Sequence, residues 1–152
     1  MKKQELRYGK RNMKTVMVDS STLFSGLLFK GKPNQILNLI RRKRLKLILS
    51  VDQLDEMYRV FERDISEKTY LLDSFLLLAR PNFVDRSKYV NSLKPASELI
   101  RDEKDIPILA CALSIKPDFF VSSDKDFNTD EIKEKISVVT PSEFLKLSKR
   151  LD

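Results

Sequence analysis

The chain has 152 residues, 29 basic against 22 acidic for a formal net charge of +7, with one cysteine and no histidine. Without histidine there can be no Ser-His-Asp triad, Cys-His dyad or ordinary zinc site, so any catalysis falls to carboxylates. A chain of this length forms one domain with a real core, and no apolar run approaches the roughly 18 residues of a membrane span.

Residues 1–12 are polar and hold Lys2, Lys3, Arg7, Lys10 and Arg11 with no apolar segment behind them. They predict a basic, flexible arm rather than a secretory signal, with a single folded unit over 13–152. Thr15-Val16-Met17-Val18 reads as a strand that stops at Asp19, followed by a loop through Gly26 and Gly31. A helix from Pro33 carries Ile36, Leu37, Leu39 and Ile40 into the basic cluster Arg41-Arg42-Lys43-Arg44, and a strand over Leu45 to Leu49 follows. Ser50-Val51-Asp52-Gln53 has the pattern of a capping box, and Val51, Leu54, Met57, Tyr58 and Phe61 recur behind it at helical steps.

A further helix is expected from about Ser66 to Ala79, and Asn82-Phe83-Val84 reads as a short strand ending at Asp85. Residues 106–115 are helical in pattern, with Pro107 tolerated in the first turn. Cys111 lies within that run and reads as a small core residue, in keeping with a reducing, cytoplasmic setting. Phe119-Phe120-Val121 forms the next strand and stops at Ser122-Ser123-Asp124. A helix around Glu131 to Lys135, a strand from Ser137 to Val139 and a last helix behind the capping box Thr140-Pro141-Ser142-Glu143 complete the pattern.

Short apolar strands alternating with helices predict an α/β fold, a central parallel sheet in a three-layer α/β/α arrangement. Right-handed crossovers then bring every strand's carboxyl end to one edge, where Asp19, Ser50, Asp85, Asp124 and Thr140 fall. Carboxylates crowded there repel one another, and a hard cation with oxygen ligands relieves that repulsion. Each acid also has a plainer reading. Asp105 serves as a helix cap, Asp124 as a turn residue, Asp85 as a loop acid and Glu56 as a solvated surface residue. For Asp19 the capping role is already filled by Ser20 and Ser21, which leaves a site role.

Several of these segments together resemble the PIN domain family. They are Val18-Asp19-Ser20-Ser21-Thr22-Leu23, Glu56 with Val60-Phe61, Asp102-x-x-Asp105, the run from Phe119 through Asp124-Lys125-Asp126-Phe127, and Val138 to Leu145. The likeness is nearest to the branch of toxin components of toxin–antitoxin pairs. It implies a metal-dependent ribonuclease in which Asp19, Glu56, Asp105 and Asp124 hold Mg²⁺ or Mn²⁺, with Ser21 orienting Asp19 and Asp126 as an outer helper. The reaction so implied is attack by metal-bound water on an RNA phosphodiester, leaving a 5′-phosphate and a 3′-hydroxyl. The implied partners are RNA, gripped through its phosphates by the arm and the 41–46 cluster, and a small antitoxin protein.

Rival readings are a Toprim-like site on Asp124-x-Asp126, which leaves Asp19 unexplained, and a dehalogenase-like phosphatase, which Ser21 breaks. A third is an RNA-binding or scaffold module that keeps the fold without cutting. The apolar helix at 71–78 suits a homodimer face or a groove for an inhibitory partner, with simple burial as the competing reading. Tyr89 is read as a packing residue ahead of base stacking, and Arg59 and Lys125 as candidates to approach the scissile group.

Overall fold

The computed structural model describes residues 13–150, so the basic arm lies outside the described residues. Five strands form the sheet: β1 (Lys14–Val18), β2 (Leu45–Ser50), β3 (Asn82–Val84), β4 (Phe119–Val121) and β5 (Val138–Val139). They run parallel in the order β3-β2-β1-β4-β5. Consecutive residues in a strand face opposite ways, and the strands divide their side chains accordingly. Val16, Val18, Leu45, Leu47, Leu49 and Val121 join one core, while Met17, Ile48 and Phe120 join the other.

The first core is covered by α1 (Ser20–Leu28), α2 (Lys32–Arg41), α3 (Val51–Asp64), α4 (Thr69–Ala79) and α8 (Pro141–Ser148). The second is covered by α5 (Leu93–Ser97), α6 (Asp105–Ile115) and α7 (Asp130–Lys133). This is the three-layer arrangement expected from the sequence, and strand carboxyl ends share one edge.

The chain departs from the expected pattern between β1 and α2. The segment read as a loop is helical through Gly26, and only residues 29–31 connect the two helices. Asp19 caps the new helix, and Leu23 and Leu27, one turn apart, are buried beneath it. Gly26 is required by packing rather than by a turn. A Cβ there would stand 2.6 Å from Leu37 Cδ1 and 2.8 Å from its Cγ, so α1 and α2 cross closer than any side chain allows. The Asn34 side-chain amide donates to the Gly26 carbonyl at 2.9 Å, fixing the crossing. The conformational freedom of glycine is used at Gly31, where φ is +151° ahead of α2.

Smaller differences concern helix ends. A 3₁₀ turn over Ser66–Lys68 precedes α4, and Thr129 caps a four-residue α7 one residue earlier than its pattern suggests. Along α4, Leu72, Phe75 and Ala79 are buried, whereas Tyr70, Leu77 and Leu78 are exposed. The apolar run is thus half core and half surface. Tyr89 is fully buried, its hydroxyl donating to Asp52 Oδ2 at 2.7 Å, which makes it a packing residue.

Gly26→Ala should therefore destabilise the protein by about 1–3 kcal/mol through overpacking against Leu37, outweighing a gain in helix propensity of about 1 kcal/mol. Urea denaturation reads this directly. An unchanged or raised midpoint would show that the α1–α2 crossing has slack.

Candidate active site at the carboxyl edge

Asp19 leaves the end of the central strand and is only 2% exposed. Its backbone N–H donates to the Val121 carbonyl at 3.1 Å, prolonging the β1–β4 ladder by one residue. Its side chain is held on both oxygens. Oδ1 accepts the Thr22 backbone N–H at 3.1 Å. Oδ2 accepts the Ser122 hydroxyl at 2.6 Å and the Ser21 hydroxyl at 3.4 Å. The expectation that Ser20 and Ser21 fill the cap is corrected: Asp19 itself caps α1. A carboxylate places a full negative charge at a helix N-terminus and satisfies one of its free N–H groups. Burial raises the Asp19 pKa above the ordinary carboxylate value, opposed by the hydrogen bonds from Ser122 and Thr22, with Asp124 adding repulsion.

Glu56 reaches the same edge from α3. Rather than a solvated surface residue it is half-buried, and Oε1 accepts the Ser20 hydroxyl at 3.0 Å. The cause is Gln53, one turn earlier on the same face. Ser50 accepts the Gln53 backbone N–H at 3.1 Å, as a cap should. The Gln53 side-chain amide does not return to Ser50; it donates to the Val18 carbonyl at 2.7 Å. Gln53 thus ties α3 to the end of β1, and Glu56 follows it inward.

Asp105 opens α6 without capping it. The N-cap residue is Lys104, which makes no side-chain cap bond. The turn role belongs to Asp102, whose Oδ1 accepts the Lys104 N–H at 3.0 Å. Asp105 is half-buried, and its pKa is pushed up from 3.8 to about 7, first by burial and then by repulsion from Asp102, Asp124, Asp19 and Glu56. Acids from β1, α3, the turn before α6 and the loop after β4 therefore act on one carboxyl group.

Asp124 does serve its turn, Oδ1 accepting the Asp126 N–H at 2.9 Å. Its own N–H donates to the Ser122 hydroxyl at 3.0 Å, and Asn128 donates to the Ser122 and Asp124 carbonyls at 3.0 and 2.8 Å. The Asp126 side chain is exposed. Asp85 caps a 3₁₀ turn, its Oδ2 accepting the Ser87 N–H at 3.1 Å. Beside Glu56 lies a cavity of about 150 Å³, lined also by Asp52, Gln53, Arg59, Lys104, Pro107 and Ile108.

Three contributors escaped the sequence reading. Ser122 looked like a strand terminator but clamps Asp19, Gln53 looked like half of a capping box but bridges elements, and Lys104 brings a cation beside Glu56. Only Ser122, two residues before Asp124, carried a signal that could have been used. The donors are all oxygen, which suits Mg²⁺ or Mn²⁺. Among the described residues, however, no three acidic or thiol side chains are drawn together tightly enough to ligate one ion directly.

The sequence model for the PIN domain matches residues 15–126, most of the folded unit and all four of these acids. The chain belongs to the PIN domain family. No curated protein matches it in sequence. Among solved structures, a chain of the VapBC2 complex of Rickettsia felis, bound to a promoter DNA fragment, is similar with a TM-score of 0.64 at 17% identity. The match covers 83% of this chain and 98% of that one. A chain of DNA-bound VapBC from Salmonella typhimurium gives a TM-score of 0.65 at 16% identity, covering 85% of this chain and 99% of that one. At such identities the likeness is one of fold. Family members are nucleases, and the PIN fold here gathers its acids at the edge where the sheet delivers them.

The raised Asp105 pKa carries a sign. The folded protein holds a proton on Asp105 that the unfolded chain has released, so stability declines as pH rises from about 4 to about 7 and levels off above that. In EDTA, melting temperature against pH should show this slope, and Asp105→Asn should flatten it and melt higher at pH 8. A parent protein with no slope in that window would contradict the clustering of charge.

Proposed function

We propose that this PIN domain protein is a Mg²⁺- or Mn²⁺-dependent endoribonuclease, cutting RNA phosphodiester bonds at the carboxyl edge. The observation that carries the reading is the position of Asp105 under the joint repulsion of Asp102, Asp124, Asp19 and Glu56. A group of acids so arranged is unfavourable on its own and is stabilised by a divalent cation. Asp19, Glu56, Asp105 and Asp124 are the residues that would hold it. Among the described residues no three acids stand close enough to ligate one ion directly, so the ion would keep part of its water shell, as Mg²⁺ does when bound through one or two carboxylates. Such an ion supplies Lewis acidity for water and for the scissile phosphate.

The protein's own residues supply orientation. Ser122, Ser21 and Thr22 hold the Asp19 carboxylate, and Ser20 holds Glu56, so neither acid has to be ordered when substrate arrives. Lys104 and Arg59, lining the cavity beside Glu56, offer positive charge for a phosphate at this otherwise acidic edge. Lys125 is exposed two residues before Phe127 and stays a weaker candidate for that role. The buried Cys111, its thiol pushed up to about 12 by burial, takes no part.

The resemblance to toxin components supports a role as the toxin of a toxin–antitoxin pair, in the cytoplasm, with a small antitoxin as partner. The exposed Tyr70, Leu77 and Leu78 of α4 offer that partner, or a second copy of the chain, apolar surface. No helix among the described residues is long and apolar enough to cross a membrane. The competing reading, a PIN fold that holds RNA without cutting it, draws support from the wide spacing of the acids.

With a fluorescent single-stranded RNA and Mn²⁺, the parent protein should cleave. Asp19→Asn and Asp105→Asn should lose about 10³-fold in rate, equivalent to ~4 kcal/mol of transition-state stabilisation, while still binding RNA in EDTA. Cleavage that persists in both variants would assign the activity to a contaminant and leave the binding module.

A further inference from the structure

A second concavity lies away from the acids. It is a groove of about 650 Å³ between α2 and α8. Its charged lining is entirely positive: Lys32 on α2 and Arg42 directly after it, Lys146 on α8 and Lys149 directly after it. The neutral lining is Gln35, Asn38, Ser142 and Ser148 with Leu39 and Leu145; Asn38 already accepts from Arg41, and the Ser148 hydroxyl already donates to the Leu145 carbonyl. All four cations are exposed, and among the described residues none of them makes a side-chain hydrogen bond or an ion pair. Glu143, which is not among the lining residues, interacts electrostatically with Lys146.

We propose that this groove binds the phosphodiester backbone of RNA, as a second contact separate from the carboxylate edge. Three features favour a nucleic acid over a peptide. Four unpaired cations in one channel with no lining acid match a polyanion, and like charges so gathered repel until an anion neutralises them. From Lys32 to Arg42 is ten helical residues, about 15 Å, long enough to run beside several successive phosphates. The neutral polar lining consists of amides and hydroxyls, the kind of groups that contact phosphate and sugar, and Leu39 and Leu145 are the two apolar side chains beside them. No aromatic ring lines the groove, so bases do not stack there and the grip is indifferent to sequence.

The topology gives the groove its relation to the acids. Helix α8 starts directly after β5, and β5 lies beside β4, whose end leads to Asp124. The Ser142 end therefore opens at the same edge as the acids, while Arg42 lies just ahead of β2, at the opposite edge. A strand lying in the groove extends away from the scissile position, across the helical layer. Naming the polyanion as RNA rests on the ribonuclease reading; the existence of the polyanion site does not.

The test uses anisotropy of a labelled 20-nucleotide unstructured RNA in EDTA, where cleavage plays no part. Lys146→Glu/Lys149→Glu should weaken binding at least tenfold, and Arg42→Gln/Lys149→Gln, a milder pair safe for folding, about threefold or more. The dependence of log affinity on log salt should become shallower by about 1.4 for two lost phosphate contacts on a single strand. The control pair Lys94→Glu/Lys135→Glu, exposed on the opposite helical layer, carries the same charge change and should cost less than threefold. Equal losses in groove and control pairs would overturn the site in favour of diffuse attraction to a basic protein. Competition by poly-glutamate at equal charge as effective as that by unlabelled RNA would overturn the nucleic-acid assignment. Hydrolysis of a dinucleotide substrate in Mn²⁺ separates the two readings: an active protein whose groove and control pairs behave alike refutes the groove alone, and an inactive protein with a groove-specific loss refutes the nuclease alone.

Discussion

The structure turns on mutual repulsion among carboxylates that the fold does not let relax. Asp19 cannot turn away, because its two oxygens are pinned by Thr22, Ser122 and Ser21 and its backbone completes the β1–β4 ladder. Asp105 cannot leave either, since it opens a helix that is buried from Ile108 to Ala112. In water such charges would drift apart. Here the backbone holds them on neighbouring elements, and burial, reinforced by that repulsion, raises the Asp105 pKa to about 7. A fold that maintains this arrangement gives up stability for it, which is the usual relation between a charged site and the scaffold beneath it.

The polar groups around the acids explain how the arrangement survives folding. Gln53 spends its amide on the Val18 carbonyl, at the spot where the strand ends and a free acceptor would otherwise be buried. Ser122 donates to Asp19 and accepts from Asp124, so a single hydroxyl joins the ends of two adjacent strands. Asn128 then closes the loop behind Asp124. These side chains set the direction of the acids, while the apolar faces of the sheet set only their height.

Much of this was legible in the sequence because strands and helices announce themselves by period. Val16, Val18, Leu47 and Val121 alternate with residues of the opposite face, and the box at Thr140 forms in full, Thr140 and Glu143 each capping the other's backbone N–H. The segment after Asp19 was not legible. Gly26 looks like a loop residue until Leu37, eleven positions later, packs against it. Glu56 looked solvated because its own helix presents the apolar stripe elsewhere, and only the long-range bond from Gln53 to β1 turns its face inward. Asp19 as a cap was concealed by two serines that are equally good caps in isolation. In each case the deciding interaction spans elements, and periodicity within a single element carries no trace of it.

The central claim is that four acids far apart in sequence serve one divalent ion. Anomalous diffraction from crystals soaked in Mn²⁺ at pH 7.5 tests it most directly. The account predicts a peak enclosed by Asp19, Glu56, Asp105 and Asp124, with water completing the coordination, and absent in Asp19→Asn crystals treated alike. Manganese bound elsewhere, with that space empty at saturating metal, would contradict it.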